Sequence, residues 1–218
     1  MLKTFFQTST SAPIKVLCLG AHCDDIEIGC GGTILTLIER FKGEVEFHWG
    51  VFSSTPERAR EARSCAESFL EGCQKKTIVI DSHRDGFFPY VGGTIKDSFE
   101  TLKQSFNPDV IFTHYRDDRH QDHRIISELT WNTYRDHFIL EYEIPKYDGD
   151  LGSPNFFVHL NEVTCKKRNR FILGSFASQQ GKHWFDEETF LALARLRGME
   201  SAAPGKYAEG FYCRKAVW

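Results

Sequence analysis

Two short stretches of this chain concentrate the side chains that could do chemistry. The first, Gly20-Ala21-His22-Cys23-Asp24-Asp25, offers an imidazole and two carboxylates in one short loop. His and Asp are both zinc-ligand types, so His22 and Asp25 can meet at one ion while Asp24 stays free for another task. The plainer alternative is a capping loop, with Asp24 or Asp25 accepting from the first N–H groups of a following helix. The second stretch, His114-Tyr115-Arg116-Asp117-Asp118-Arg119-His120-Gln121-Asp122-His123-Arg124, holds three of the chain's nine His residues. A solvated loop is often this charged, but it rarely sets so many imidazoles beside so many carboxylates. Together the two stretches supply an incomplete coordination shell with room for a water, which a catalytic zinc needs and a structural one does not.

The elements that must position these residues are legible too. Ile14–Leu19 and Asp109–Thr113, which precede the two stretches, are short apolar runs and read as buried strands. An open α/β sheet keeps its ligand site at the C-terminal ends of its strands, and two such ends converge if their strands are neighbours. A glycine-rich stretch, Gly29-Cys30-Gly31-Gly32, precedes an apolar run over Thr33–Phe41 that is expected to be helical. Further on, strands are expected over 44–52, 77–81 and 156–160, with Phe211–Val217 as a terminal edge strand. Helices are expected from Pro56 to about Glu71, over 94–106, from Asp122 to about Phe138, over 161–173 and from Asp186 to about Met199. The basic run Lys166-Lys167-Arg168 is expected on a solvated helix face. Repeated strand–loop–helix units imply one α/β domain over 1–218, Rossmann-like, with a mostly parallel sheet flanked by helices. Residues 1 to about 12 are expected to be a loose arm or a contact with a neighbour.

The segment Ala21-His22-Cys23-Asp24-Asp25-Ile26-Glu27-Ile28-Gly29-Cys30-Gly31-Gly32-Thr33 resembles the A-H-P-D-D-E-E-x-G-C-G-G-T signature of the PIG-L/LmbE family of zinc-dependent N-deacetylases. Asp118-x-His120-x-Asp122-His123-Arg124 is similar to that family's second motif, D-x-H-x-D-H-R. Likeness extends to Glu141–Pro145, Ser178-Gln179 and Tyr207–Phe211. Cys23 stands where the family has Pro and Ile26 where it has the first Glu, and neither change removes a ligand.

The resemblance implies zinc held by His22, Asp25 and His123, with iron(II) able to stand in its place. It implies Asp24 as general base, His120 as oxyanion donor and acid toward the leaving amine, and Asp122 as the carboxylate that orients a neighbouring His. Arg58, at the start of the second helix, is the residue carried over as substrate-binding. Some family members have a Tyr oxyanion donor where this chain has Asp118, and Tyr115 and Tyr142 are open alternatives. Cys23 lies inside the metal loop, but the implied ligand set is filled without it. The implied reaction removes an acetyl group from an N-acetylated sugar, such as N-acetylglucosamine, or from a conjugate of one. A carbohydrate-binding protein that kept the fold and lost turnover is the alternative, but such a protein has no reason to retain Asp24 and His120. A metal phosphoesterase fits less well, because such sites often use two metals.

Composition excludes some classes. At 218 residues the chain can bury a large core. A formal charge of −3 argues against a protein that grips a nucleic-acid backbone and leaves a small-molecule or glycan substrate open. No apolar run reaches the ~18 residues of a membrane span, and the N-terminus lacks the apolar core of a signal peptide. The seven Cys form no C-x-x-C pair and fit reduced thiols in a cytoplasmic protein. Cys18 and Cys30 are expected in the core, and self-association into a homo-oligomer stays open.

Overall fold

A computed structural model describes residues 12–217 of the chain. In order, the elements are β1 (Ile14–Gly20), α1 (Asp25–Arg40), β2 (Val45–Val51), α2 (Pro56–Phe69), β3 (Lys75–Ile80), α3 (Gly92–Ser105), β4 (Val110–His114) and α4 (Gln121–Thr133). They are followed by β5 (Phe138–Tyr142), β6 (Phe156–Leu160), α5 (Glu162–Ser175), α6 (Glu187–Glu200) and β7 (Tyr207–Cys213). The strands form one seven-stranded sheet in the order β3-β2-β1-β4-β5-β7-β6. Strands β1 to β5 run parallel, and β7 is antiparallel to both β5 and β6.

Alternation along β1 shows why both faces are covered. Val16 and Cys18 belong to a core shared with α1 and α2, while Leu17 and Leu19 belong to a second core shared with α3 and α4. A strand buried on both sides reads as a continuous apolar run, as this one does. Strand order reverses between β1 and β4, which pair in parallel from Val16↔Val110 to Cys18↔Phe112. That switch point is where a doubly wound sheet opens a crevice at its strand ends. Thr55 caps α2 by accepting from the Arg58 amide, with Pro56 in the first turn, as its sequence suggests.

Four expectations need correction. Helix α1 starts at Asp25, not Thr33, so the glycines lie inside it. They are there for close packing: a Cβ on Gly29 would sit 2.2 Å from the Tyr142 ring, and one on Gly32 would sit 2.5 Å from Leu160. Helix α4 ends at Thr133, short of Phe138, and Phe138–Tyr142 is the strand β5 instead. The last strand is Tyr207–Cys213 and lies inside the sheet; its edges are β3 and β6. Both strands were disguised by a glutamate within them. Glu141 is buried against Trp131, Arg116 and Arg214, and Glu209 against Arg168. Arg168 is accordingly buried, while Lys166 and Lys167 take the solvated face. Cys18 and Cys30 are core residues, and all seven cysteines are free thiols. The expected arm falls, except for Ala12, outside the described residues. Among those residues, no helix is long and apolar enough to cross a membrane.

Candidate active site

The end of β1 and the start of α1 form a tight corner. Gly20 and Ala21 carbonyls accept from the Phe52 and Ser53 amides, which ties this corner to the end of β2. The Asp25 carboxylate turns back and accepts from the His22 amide at 2.6 Å. Asp24 occupies the helix N-cap but makes no side-chain cap bond, so the plain capping role does not account for its carboxylate. From the neighbouring strand, the loop after β4 brings His120 to the N-cap of α4 and His123 into its first turn.

These two ends meet. His22 Nδ1 lies 3.2 Å from His123 Nε2. The Asp25 carboxylate is 3.5 Å from each of those nitrogens. Donor atoms of His22, His120 and His123 all lie within 4.8 Å of one another, as do those of Asp25, His114 and His123. Arg58 reaches Asp24, Nη2 to Oδ1 at 3.1 Å. Asp122 accepts from the Gly86 and Phe88 amides and lies 3.5 Å from His22 Nε2, so the His it faces is His22. All the expected site residues except Asp122 line one cleft of about 500 Å³.

Neither tyrosine lines that cleft. The Tyr142 hydroxyl is buried and donates to the Leu19 carbonyl, and Tyr115 stacks on Tyr212. Sequence reasoning gave no role to four further residues. His114, fully buried at the end of β4, stacks on His123 and accepts from the Ala21 amide at 2.9 Å. Asp85 lies 3.0 Å from His22 Nε2. Asp118 lies 2.9 Å from His123 Nδ1, and Lys146 lies 2.9 Å from Asp118. His114 and Asp118 were visible inside the second polar stretch, and Asp85 opens the aromatic, glycine-rich loop 85–93, which its place after a strand marks as a candidate pocket wall; Lys146 comes from a loop with no signal of its own.

Electrostatics follow from this packing. Burial holds the Asp24 carboxyl above its ordinary value, with Arg58 pulling the other way. Burial would do the same to Asp25, but His123 and His114 outweigh it and drive that group well below the usual range. Burial also opposes charge on His22, yet Asp122, Asp25 and Asp85 prevail and raise it. His123 is pulled down to about 4 by burial and by His114. His120 is lowered by burial and by His22. Two imidazole nitrogens facing each other at 3.2 Å leave room for one proton or one cation between them, not for two N–H groups.

Solved structures share this architecture. The conserved protein TT1542 from Thermus thermophilus is 20% identical with a TM-score of 0.74, over 94% of this chain and 96% of its own. An N,N'-diacetylchitobiose deacetylase from Pyrococcus horikoshii is 24% identical with a TM-score of 0.67, over 92% and 83%. GalB, a 4-carboxy-2-hydroxymuconate hydratase from Pseudomonas putida, is 15% identical with a TM-score of 0.68, over 94% and 98%. At such identities the likeness establishes the fold alone. The family profile described as PIG-L: GlcNAc-PI de-N-acetylase matches residues 17–134, more than half of the chain and all of both polar stretches. This chain belongs to the PIG-L family.

Proposed function

We propose that the chain is a metal-dependent hydrolase that removes the acetyl group from an N-acetylated sugar or sugar conjugate. The observation that carries this is the trio of His22 Nδ1, His123 Nε2 and the Asp25 carboxylate, 3.2–3.5 Å apart, with Asp24 beside it in the same cleft. Tetrahedral zinc with ligands at about 2.0–2.1 Å separates its donor atoms by about 3.4 Å. The trio therefore fits one ion, zinc or iron(II), held by His22, Asp25 and His123. When bound, such an ion supplies a Lewis acid and brings a water's pKa to about 7.

The chain's own groups do the rest. Asp24 takes the proton from the attacking water, and burial keeps its carboxylate basic enough to do so. Arg58, paired with Asp24 and lining the cleft, holds that carboxylate in place and offers donors to the substrate. Charge grows on the acetamide oxygen as the carbonyl is attacked and needs a donor. His120 supplies it and in its charged form gives a proton to the leaving amine, which the proton that Asp24 took from the water then replaces. The Asp85 and Asp122 carboxylates lie 3.0 and 3.5 Å from His22 Nε2 and draw that edge of the ring toward themselves, which leaves its Nδ1 facing the trio.

A family name and a deacetylase of similar fold support this reading, but a hydratase has the fold as well, so the test must read amide cleavage. Purified protein should contain about one zinc or iron per chain and release acetate from a panel of free and conjugated N-acetyl sugars. His22→Ala and His123→Ala proteins should fold and lose the metal. Full metal content in both variants, measured by elemental analysis, sinks the ligand set; metal without acetate release from any sugar sinks the reaction.

A further inference from the structure

Asp118 stands where some members of the family have a tyrosine donor, and its surroundings suit a different task. Its carboxylate is 2% exposed and all its contacts are specific. One oxygen, Oδ1, accepts from the His120 amide at 2.7 Å, which closes the turn delivering His120 to the cleft. The other, Oδ2, lies 2.9 Å from His123 Nδ1. The Lys146 ammonium donates to that same oxygen at 2.9 Å and to Asp150 at 2.7 Å. The Arg119 amide donates to Asp150 at 2.6 Å, so the loop after β5 is strapped to the loop after β4. A buried carboxylate is tolerated only when paired, and Lys146 is the pairing group.

We propose that Asp118, locked by Lys146, is the positioning residue that fixes which nitrogen His123 presents to the metal. An ionised carboxylate at Nδ1 can only accept, so the ring must carry its hydrogen there. The Nε2 lone pair is then left facing His22 Nδ1 and Asp25. Without Asp118 the ring is free to carry its hydrogen on Nε2, where it blocks the ion. Lys146 also lines the cleft, so one carboxylate couples the metal ligand to a residue of the cleft wall.

This rests on the metal-site reading above, and the test separates the two. Zinc affinity is measured by chelator competition on the full chain, alongside the His123 tautomer in the metal-free protein by histidine 15N NMR. Asp118→Ala should weaken zinc about 10–100-fold, the usual cost of losing such a partner, and should move His123 away from the Nδ1–H form. Lys146→Met should shift both readouts in the same direction by less. Wild-type protein that binds no zinc overturns the metal site itself. Wild-type binding with unchanged affinity and unchanged tautomer in a folded Asp118→Ala protein, whatever its Tm, overturns only the role of Asp118. If Asp118→Ala does not fold, Lys146→Met decides, and wild-type values for both readouts there overturn the proposal.

Discussion

Helix α1 meets two buried charge clusters, and they differ in kind. Midway along it, Glu209 accepts from the Gly32 and Thr33 amides and the Thr33 hydroxyl, and pairs with Arg168. Arg168 in turn donates to the Phe190 carbonyl and to Asn169. Nearby, Arg197 grips Glu143 through two bonds and also Glu200 and the Gly152 carbonyl. Every charge there has its counter-charge. At the helix N-terminus, Asp24, Asp25, His22, His114 and His123 crowd together, yet His114 Nδ1 is buried without a hydrogen-bond partner among the described residues, and Asp25 faces three imidazoles at once. A closed cluster holds the fold, and an open one is waiting for something. The same residue types serve both, so identity alone does not tell them apart; completeness of pairing does.

The largest expected effect lies in the open cluster. Asp24→Asn keeps the shape but cannot accept a proton, so kcat should fall by roughly 10²–10⁴. Bound metal should stay, since Asp25, His22 and His123 are untouched. Asp25→Asn should instead weaken metal binding first. Measuring metal content and acetate release on both proteins side by side orders the neighbours. Zinc lost from Asp24→Asn and kept by Asp25→Asn would mean that their roles are reversed.

In the closed cluster the expected loss is stability, not turnover. Arg168→Met leaves the Glu209 carboxylate buried without its counter-charge. Breaking one partner of a buried pair costs about 3–5 kcal/mol, and the three donors that remain on Glu209 favour the lower end. Denaturant midpoints should fall while metal content and turnover per folded molecule hold. Equal loss of metal would show that the two clusters are not separable.

This contrast also explains what could be read in the sequence. Strands β1 and β4 are apolar runs with polar residues at their ends, so their place and the convergence of their loops were legible. Strands β5 and β7 carry Glu141 and Glu209 within them, and charge in a strand reads as exposure unless its partner is known. Those partners, Arg116, Trp131, Arg214 and Arg168, come from distant segments. The helix is expected only from Thr33 because the reason for the glycines before it, close packing against Tyr142 and Leu160, lies on other strands. In the site, the residues inside the two motifs were legible; that Asp85 and Lys146 grip them from other loops was not. Local pattern encodes what a residue can do; packing from afar decides whether it is free to do it.

A third kind of group, half-buried and with no counter-charge among the described residues, gives the smallest effect and the cleanest control. His48 sits half-buried on β2, its ring 5.4 Å from that of Phe106. Burial alone lowers its pKa below the ordinary value. The unfolded chain therefore takes up a proton at His48 near pH 6.5, before the folded chain does. Stability is at its fullest above that pH and falls as pH drops from about 6.5 toward the lower folded value, because the unfolded state binds more protons in that window. Other histidines titrate there too, so the difference between wild type and a variant is what counts. A His48→Gln protein lacks this one titration, and its denaturation midpoint should gain on wild type as pH is lowered from 7.5 to 5. If the gap between the two midpoints is the same at both pH values, burial does not hold this imidazole neutral. The contrast between closed and open clusters would then have to be argued without its unpaired reference.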